Sequence, residues 1–513
     1  MTAKTLQSVL QSWEAVIGLE VHAELTTLNT KMFCACPIEF GAPPNTHVCP
    51  VCLGMPGALP VPNRAAIESI VLAGLATGCE IMKRSMFYRK NYFYPDMSKN
   101  FQTTQGPVAF CMNGGVDLEV AGNAAKERVA FEGTLYRDED GYGTHIGITR
   151  IHMEEDAGKM IHVGGADGRI TGAAYSLVDY NRCGTPLIEL VTEPDLRTPE
   201  EARLFLQKLR QIYLTLGISD CSMEEGSLRC DGNVSLRRRG STQLGTKTEL
   251  KNMNSFKNLH DGLAYEICRQ AEVLESGGVI LQETRHWEPA AKRTVTMRVK
   301  ETADDYRLFP EPDLAPYDLS DEFIEGVRAR LPELPDAKKR RYVEDFGVPA
   351  ADAGNVAGDV ELSAFFEEAV CLAPALAKPI ANLLLNDVAA HLNANGVTLG
   401  QSGLVPEHLT ELAQLISEDT ISSKQAKDVF ALMVKSGASP QIIVEEQGMR
   451  QLSDVGAIEE VVKRVLAENP EKVAEYRSGK VGLLGFFVGQ AMRATGGQGN
   501  PKLINEIVRE HLG

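Results

Sequence analysis

The first 300 residues alternate between short apolar runs typical of strands and longer amphipathic stretches typical of helices. The clearest strand-like runs, separated by Gly, Pro and Asn turns, are Ala15–His22, Gly147–Met153 and Leu187–Val191. A helix is predicted over residues 202–216, because Thr198-Pro-Glu-Glu201 is a start signal and Gly217 ends the pattern.

The pattern changes near residue 315. A stretch rich in Pro and acidic residues, 312–335, precedes segments with helical periodicity almost throughout. The clearest of these segments are Leu362–Ala369, Ile380–Asp387 and Leu409–Ile416. We therefore predict an α+β fold in three parts: a mixed α/β domain over residues 1–314, a helical domain over 315–405 and a small helical tail domain over 406–513.

The composition, 43% hydrophobic and 24% charged residues, is that of a soluble globular protein, and 513 residues favour two to four domains. No apolar run reaches the roughly 18 residues of a membrane span, and the first residues lack a secretion signal, so we expect a cytoplasmic protein. The net charge of −17 argues against binding nucleic acid through bulk charge. It leaves room for RNA recognised by shape and by local basic patches.

Four of the eleven cysteines lie within 19 residues: Cys34, Cys36, Cys49 and Cys52. Clustered thiols in a reducing compartment bind metal more often than they form disulfides. Two close pairs separated by about a dozen residues match a structural four-thiolate Zn²⁺ site. The alternative is a loop that carries free thiols.

Glu20 and His22 lie two residues apart in a strand pattern, so their side chains share a face. A carboxylate beside an imidazole can bind a divalent ion, or the acid can orient the base. A polar pair satisfied beneath a loop is the alternative.

Acidic residues also cluster where other strands end. His152-Met-Glu-Glu-Asp156 follows an apolar run and precedes a Gly turn that ends in Lys159. Glu189 belongs to another strand, and Met223–Asp231 repeats the acidic theme. A single run of this kind is usually a solvated turn. Several in one domain favour Mg²⁺, which bridges protein carboxylates and nucleotide phosphates.

Basic residues concentrate locally. Residues 235–260 carry six Lys or Arg against one Glu, which favours phosphate contact, with a solvated face as the alternative. Cations and aromatics mix in Arg89–Asp96, a combination that can stack on a base. The chain has no phosphate-loop, dinucleotide-turn, nucleophile-elbow or protein-kinase motif, so any ATP is bound by a less common fold.

Over nearly its whole length the chain resembles the B subunits of the tRNA-dependent aspartyl/glutamyl amidotransferases. The motifs that carry the resemblance are Val16–His22, Arg89–Asp96, His152–Lys159, Thr185–Glu189, Met223–Asp231, Lys251–Phe256 and Asp305–Asp313. Long motifs in the family's order are highly specific. One departure is Leu308, where an aromatic residue is expected, and it should alter packing more than catalysis.

The resemblance implies a cradle domain, a helical domain and a tail that binds tRNA. It implies that the protein uses ATP and Mg²⁺ to phosphorylate the side-chain carboxylate of Asp or Glu attached to tRNA(Asn) or tRNA(Gln). Ammonia from a glutaminase (amidase) partner subunit then displaces phosphate, and a small third subunit links the two in a heterotrimer.

The resemblance also assigns residues. The implied metal ligands are Glu20, His22, Glu155 and Glu189, with Glu154 and Glu225 as neighbours, and the implied zinc ligands are the four clustered cysteines. The implied catalytic side chains are Glu155, Lys90 and Glu225, and the implied nucleotide contacts are Lys159 and Lys251. Lys90 would either hold a phosphate or line the ammonia passage. In the tail, Lys480, Arg493 and Lys502 would meet phosphates, with Gly-rich helix packing as the alternative.

Two other interpretations fit parts of the chain. The archaeal-type E subunit of the same family is longer and carries an inserted synthetase-like domain, which this chain lacks. A non-catalytic, zinc-stabilised tRNA-binding scaffold fits the cysteines and the tail, but such a scaffold has no need of acidic strand ends.

Overall fold

The computed structural model of the chain describes residues 5–121, 141–164, 172–299, 306–451, 454–496 and 499–513. Of the segments discussed above, residues 1–4 and Asp305 lie outside these ranges. The chain divides into two compact units, Met1–Leu334 and Pro335–Gly513. Among the described residues, no helix combines the length and the apolar character that a membrane span requires.

The first unit is built on a large sheet. The strands of this unit are β1 Trp13–Glu24, β2 Glu80–Ile81, β3 Arg84–Ser85, β4 Phe87–Asn91, β5 Phe101–Gln105, β6 Cys111–Val120, β7 Tyr142–Glu155, β8 Lys159–Val163, β9 Tyr175–Asp179, β10 Pro186–Thr192, β11 Leu228–Arg238, β12 Thr248–Lys251, β13 Glu283–Glu288, β14 Arg293–Val299, β15 Phe309–Pro310 and β16 Tyr317–Asp318. Its helices are α1 Leu6–Leu10, α2 Arg64–Ala76, α3 Pro199–Thr215, α4 Phe256–Glu275 and α5 Asp321–Arg328.

Within the described ranges the large sheet has 12 strands, and its main path runs β14-β13-β12-β11-β1-β10-β7-β5-β4-β15. Strands β3 and β16 pair separately, as do β8 and β9. Strand β1 is central and pairs antiparallel with β10 on one side and β11 on the other. The odd-numbered residues of β1, such as Leu19 and Val21, are buried in the main hydrophobic core with α3 and α4. The even-numbered residues Gly18, Glu20 and His22 are only partly buried, because they lie on the opposite face of the strand.

The second unit is helical. Its helices are α6 Pro335–Glu344, α7 Ala350–Ala357, α8 Val360–Leu372, α9 Ala377–Leu383, α10 Ala389–Asn395, α11 Pro406–Ser417, α12 Ser423–Ser436, α13 Pro440–Glu446, α14 Val455–Glu468, α15 Pro470–Arg477, α16 Leu484–Ala494 and α17 Pro501–Leu512. Among its described residues, two hydrophobic clusters stabilise it, one drawn from residues 342–444 and the other from residues 458–512.

The predicted fold class is confirmed: a mixed sheet-and-helix domain precedes a helical region. The predicted helix start at Thr198 is also present, since its side chain accepts a hydrogen bond from the Glu201 backbone N–H at 3.0 Å. The predicted helix over 380–387 contains an irregularity, because a π-helical turn, Leu384–Val388, follows α9.

The apolar side chains of α5 bear on the predicted boundary at residue 314. Ile324 and Val327 are buried in the core of the first unit, where α5 packs against α2, so residues up to 328 belong to that unit. Helix α11, which the sequence placed in the tail, contributes Leu409 and Leu412 to the 342–444 cluster. The three-part division at 314 and 405 therefore stays a prediction, whereas the compact units meet at residues 334 and 335.

Candidate active site and metal groups

A band of polar side chains crosses the face of the sheet that the core helices leave uncovered. The strand register brings these residues side by side, because directly opposed residues in antiparallel strands share a face. His22 lies opposite Glu189 and Glu20 lies opposite Asp231. In strand order from β12 to β4, the band comprises Glu249, Asp231, Glu20, His22, Glu189, His152, Glu154, Gln102 and Lys90.

His22, Glu154 and Glu189 form the first of two potential metal groups in the band. Each offers a ligand atom within 4.8 Å of the others, and His22 Nε2 lies 3.1 Å from Glu189 Oε2. Glu154 is held in place by the Thr104 hydroxyl, which donates to its Oε1 at 2.8 Å. Two carboxylates and an imidazole supply the oxygen and nitrogen ligands that a divalent cation uses.

The electrostatics keep the two carboxylates of the first group ionised. Burial alone would raise the pKa of Glu154, but Lys90 and His152 hold it well below its ordinary value. Burial likewise opposes ionisation of Glu189, whose pKa is lowered by its hydrogen bond with His22. Burial would lower the pKa of His22, yet Glu189 raises it above the ordinary value. Both carboxylates are therefore available as anionic ligands.

The second potential metal group is Glu20, Asp231 and Glu249, with ligand atoms again within 4.8 Å of one another. Burial and the neighbouring carboxylates of Glu189 and Glu249 raise the pKa of Glu20, which is the expected result of gathering like charges. Lys251 donates a hydrogen bond to Asp231 and lies 3.7 Å from Glu249 Oε1. The predicted nucleotide contact Lys251 therefore borders the second group.

Lys90 lies at the other end of the band. Its Nζ is 3.7 Å from Glu154 Oε1 and 5.1 Å from the centre of the Tyr306 ring. Burial would lower the pKa of Lys90, but the charges of Glu154 and Glu189 raise it. A charged ammonium group therefore borders the first metal group.

Glu155 lies on the opposite face of the sheet from Glu154, as alternation along β7 requires. It makes an ion pair with Lys99 and accepts a hydrogen bond from the Thr103 backbone N–H at 2.8 Å. These residues border a cavity of about 210 Å³ that also reaches the cysteine cluster. Thus the structure brings Glu20, His22 and Glu189 into the polar band, but it does not bring Glu155 there.

Gly184 also lines this cavity. Gly184 has a φ of +87°, a conformation that favours glycine. A Cβ there would lie 3.5 Å from Lys31 Cδ and 3.8 Å from Glu155 Oε2. Both are ordinary van der Waals distances, so the backbone conformation rather than a lack of space favours glycine here.

The four predicted zinc ligands meet in space. Their Sγ atoms all lie within 4.8 Å of one another, and those of Cys49 and Cys52 are 3.9 Å apart. A tetrahedral zinc–thiolate site with Zn–S bonds of about 2.3 Å requires S···S separations of about 3.8 Å, so the arrangement fits zinc. A hydrogen bond with Cys34 lowers the pKa of Cys52 to about 5, and Lys31 Nζ lies 3.7 Å from its sulfur.

Two other predicted site residues lie away from both carboxylate groups. Glu225 is exposed in a turn, where its backbone N–H is bonded to the Ser222 hydroxyl at 3.1 Å. Lys159 is exposed at the start of β8, opposite Asp179. In the tail, Lys480 and Lys502 lie 3.2 Å from Glu475 and 2.9 Å from Asp419, and Arg493 is exposed near the end of α16.

Sequence reasoning did not single out Asp156, Arg229 and Arg182 as a unit. Arg229 Nη2 donates to Asp156 Oδ2 at 2.7 Å, and Arg182 Nε lies 3.7 Å from the same oxygen. Burial and the adjacent charge of Asp156 raise the pKa of Glu24 to about 9. The alternation of side chains along a strand could have identified Glu24 and Asp156. Glu24 continues the series Glu20, His22, and Asp156 continues the series His152, Glu154. No local signal joins Arg229 to them.

Known families and proteins match the chain over both of its units. The family model described as the GatB/GatE catalytic domain matches residues 15–325, and one described as a GatB domain matches residues 364–512. The chain is also similar to proteins named as the B subunit of aspartyl/glutamyl-tRNA(Asn/Gln) amidotransferase. That of Carboxydothermus hydrogenoformans is 49% identical over 98% of this chain and 99% of the relative. That of Brevibacillus brevis is 50% identical over the same shares, and that of Moorella thermoacetica is 50% identical over 98% of this chain and 100% of the relative.

The first prediction separates Glu154 from Glu155. Replacing Glu154 with Gln should weaken Mn²⁺ binding at least about tenfold, because it removes an anionic ligand, whereas Glu155→Gln should bind Mn²⁺ like the wild type. Binding is measured by the electron paramagnetic resonance signal of free Mn²⁺ during a titration. The reverse order of effects would support Glu155 as the ligand.

The second prediction concerns zinc. Purified protein should contain about one zinc per chain, and Cys52→Ser should lose most of it and melt at a lower temperature. Elemental analysis and thermal unfolding measure both effects. Cys371→Ser is the matched control, because Cys371 is exposed and lies outside the cluster. Equal zinc contents in the two variants would contradict the assignment.

The third prediction follows from Glu24. Its pKa of about 9, against an ordinary 4.5, means that the folded state holds this proton more tightly than the unfolded state. The stabilisation is complete below pH 4.5 and is lost as the pH rises towards 9. Glu24→Gln keeps a neutral side chain, so its free energy of unfolding should fall less than that of the wild type between pH 5 and pH 9.

Urea unfolding across this pH range measures the difference. Glu80→Gln serves as the control, because Glu80 is an exposed carboxylate. Parallel pH profiles for the wild type and Glu24→Gln would show that Glu24 ionises normally.

Proposed function

This chain belongs to the GatB/GatE family of amidotransferase subunits, and from that premise we propose its reaction. It phosphorylates the side-chain carboxylate of Asp-tRNA(Asn) or Glu-tRNA(Gln) with ATP, and it then transfers ammonia to give Asn-tRNA(Asn) or Gln-tRNA(Gln). The names of its relatives, which specify an Asp/Glu-tRNA amidotransferase, support the substrate class. The protein acts as one subunit of a glutamine-hydrolysing ligase.

The observation that carries the proposal is the polar band. Two groups of three potential ligands lie side by side on one open face, and Lys90 and Lys251 border them. A hydrolase with a nucleophile triad has no use for so many carboxylates, whereas metal-assisted phosphoryl transfer requires them.

The donor set fits Mg²⁺. His22, Glu154 and Glu189 would hold one ion, and Glu20, Asp231 and Glu249 would hold a second. When bound, Mg²⁺ supplies positive charge to the oxygens of the phosphoryl group that is transferred. Lys90 and Lys251 act on the same charge from the protein side, because their ammonium groups border the two carboxylate groups.

The chemistry explains why ATP is needed. A carboxylate does not react with ammonia, because oxide is a poor leaving group. In the first step a carboxylate oxygen forms a bond to the γ-phosphorus as the bond to ADP breaks. In the second, ammonia attacks the carbonyl carbon, the C–O bond to phosphate breaks, and phosphate leaves with the electron pair while the nitrogen loses a proton.

An acyl phosphate also reacts with water, so the site must receive ammonia without admitting solvent. A partner subunit that releases ammonia from glutamine meets this need, and a small linker subunit would hold the two together. Lys90 stays a candidate either for phosphate contact or for the ammonia passage.

The remaining parts have supporting roles in the proposal. The four-cysteine site holds structural zinc, because four thiolates leave no coordination position for substrate. The helical second unit binds tRNA. The side chains that would contact phosphates there are Lys480, Arg493 and Lys502. To do so, Lys480 would leave Glu475 and Lys502 would leave Asp419.

The fourth prediction tests the kinase step. The chain, co-purified with its amidase partner, should release ADP from ATP only with Mg²⁺ and Glu-tRNA(Gln) or Asp-tRNA(Asn). Glu189→Gln should lower this rate at least about 100-fold, since it removes charge that positions the metal, while tRNA binding is retained. Glu193→Gln is the matched control, because Glu193 is an exposed carboxylate bonded to Thr149 outside both groups.

Wild-type rates of ADP release in the Glu189→Gln variant would contradict the assigned site. Tight tRNA binding by the wild type without tRNA-dependent ADP release would instead favour the scaffold, with all chemistry in the partner.

A further inference from the structure

Arg229 projects onto the same face of the sheet as the two carboxylate groups. It lies opposite His22 in the β1–β11 pairing and two residues before Asp231, so all three side chains share that face. It therefore stands beside both groups, towards the ends of the strands. Because a guanidinium is a cation, Arg229 is not itself a metal ligand.

A buried carboxylate holds one nitrogen of its guanidinium group. Asp156 Oδ2 accepts a hydrogen bond from Arg229 Nη2 at 2.7 Å, and Asp156 itself is buried. Asp156 is fixed in turn by the Ala157 backbone N–H at 2.8 Å and by Arg182 at 3.7 Å. The Arg229 guanidinium is therefore oriented before any ligand arrives.

The rest of the guanidinium group is not saturated. An arginine carries five N–H donors, yet within the described ranges Asp156 is the one acceptor hydrogen-bonded to Arg229. Nε is buried without a partner there, while 38% of the side chain is open to solvent. By contrast, Arg89 makes two hydrogen bonds to Glu311 at 2.7 Å each. Arg229 is thus a pre-oriented cation that has N–H donors without an acceptor among the described residues.

The shape of a cationic group determines which anion it binds best. Lys90 and Lys251 are point charges, suited to phosphate oxygens, and each already borders a carboxylate group. A guanidinium fork matches a planar carboxylate through paired, directional hydrogen bonds. In a reaction that begins from a carboxylate, that substrate group must be held next to the metal groups.

We propose that Arg229, steadied by Asp156, binds the side-chain carboxylate of the aminoacyl group and directs one of its oxygens towards the γ-phosphate. This inference rests on the proposed function. It makes Arg229 the residue that distinguishes the acidic substrate from the amide product. A carboxylate offers two acceptor oxygens to a guanidinium edge, whereas an amide offers one acceptor oxygen beside an NH2 group that can only donate.

The fifth prediction tests this role with the complex of the chain and its amidase partner. Equilibrium binding of Glu-tRNA(Gln) and Gln-tRNA(Gln) is compared in the wild type, Arg229→Gln and Arg229→Lys. Arg229→Gln should reduce the preference for the acidic tRNA about tenfold or more, the worth of one charged hydrogen bond, and Arg229→Lys should lie between. The KM for Glu-tRNA(Gln) should rise and the KM for ATP should not.

Arg237→Gln is the matched control. Arg237 lies on the same strand, but its guanidinium is already paired with Glu14 at 2.6 Å, so the substitution should leave substrate preference unchanged. Thermal unfolding shows which variants are folded. If Arg229→Gln does not fold, the test rests on Arg229→Lys, which keeps the positive charge but loses the paired N–H donors of the guanidinium group.

The outcomes are separable. An unchanged preference in a folded Arg229 variant would overturn the proposal, and a raised KM for ATP alone would show that Arg229 serves the nucleotide instead. If the wild type releases no tRNA-dependent ADP, the proposed function fails. The binding comparison then still reports whether Arg229 recognises the carboxylate.

Discussion

The antiparallel pairing of β1 between β10 and β11 is the constraint on which the rest of the structure depends. Its register places His22 opposite Glu189 on one side and opposite Arg229 on the other. Because side chains alternate along a strand, a slip of one residue would turn Glu20 and His22 into the hydrophobic core. The same alternation that buries Leu19 and Val21 therefore builds the polar band.

Burial gives the band its electrostatic character. Gathering carboxylates in partial exclusion from water opposes their ionisation, and the raised pKa of Glu20 shows this cost directly. The structure offsets the cost with cations at both ends, Lys90 beside Glu154 and Lys251 beside Asp231. A site arranged in this way is charged and ordered before substrate arrives, as the proposed phosphoryl transfer would require.

Some of this arrangement could be predicted from the sequence, because it depends on local patterns. The i, i+2 spacing of Glu20 and His22 predicts a shared face, and the close spacing of the cysteines predicts that their thiols meet. Alternation along His152–Asp156 also predicts that Glu154 and Glu155 lie on opposite faces of the strand. Glu249 and Arg229 could not be located, since their place follows from which strands pair and in what register. No local pattern determines that choice.

Glu154 and Glu155 are consecutive residues that serve opposite sides of one strand. Glu154 belongs to a potential metal group, and Glu155 pairs with Lys99 beside an internal cavity. A single planar peptide joins them, and it turns as a rigid plate. A substitution that shifts the β7 backbone at this peptide therefore acts on both faces of the sheet at once.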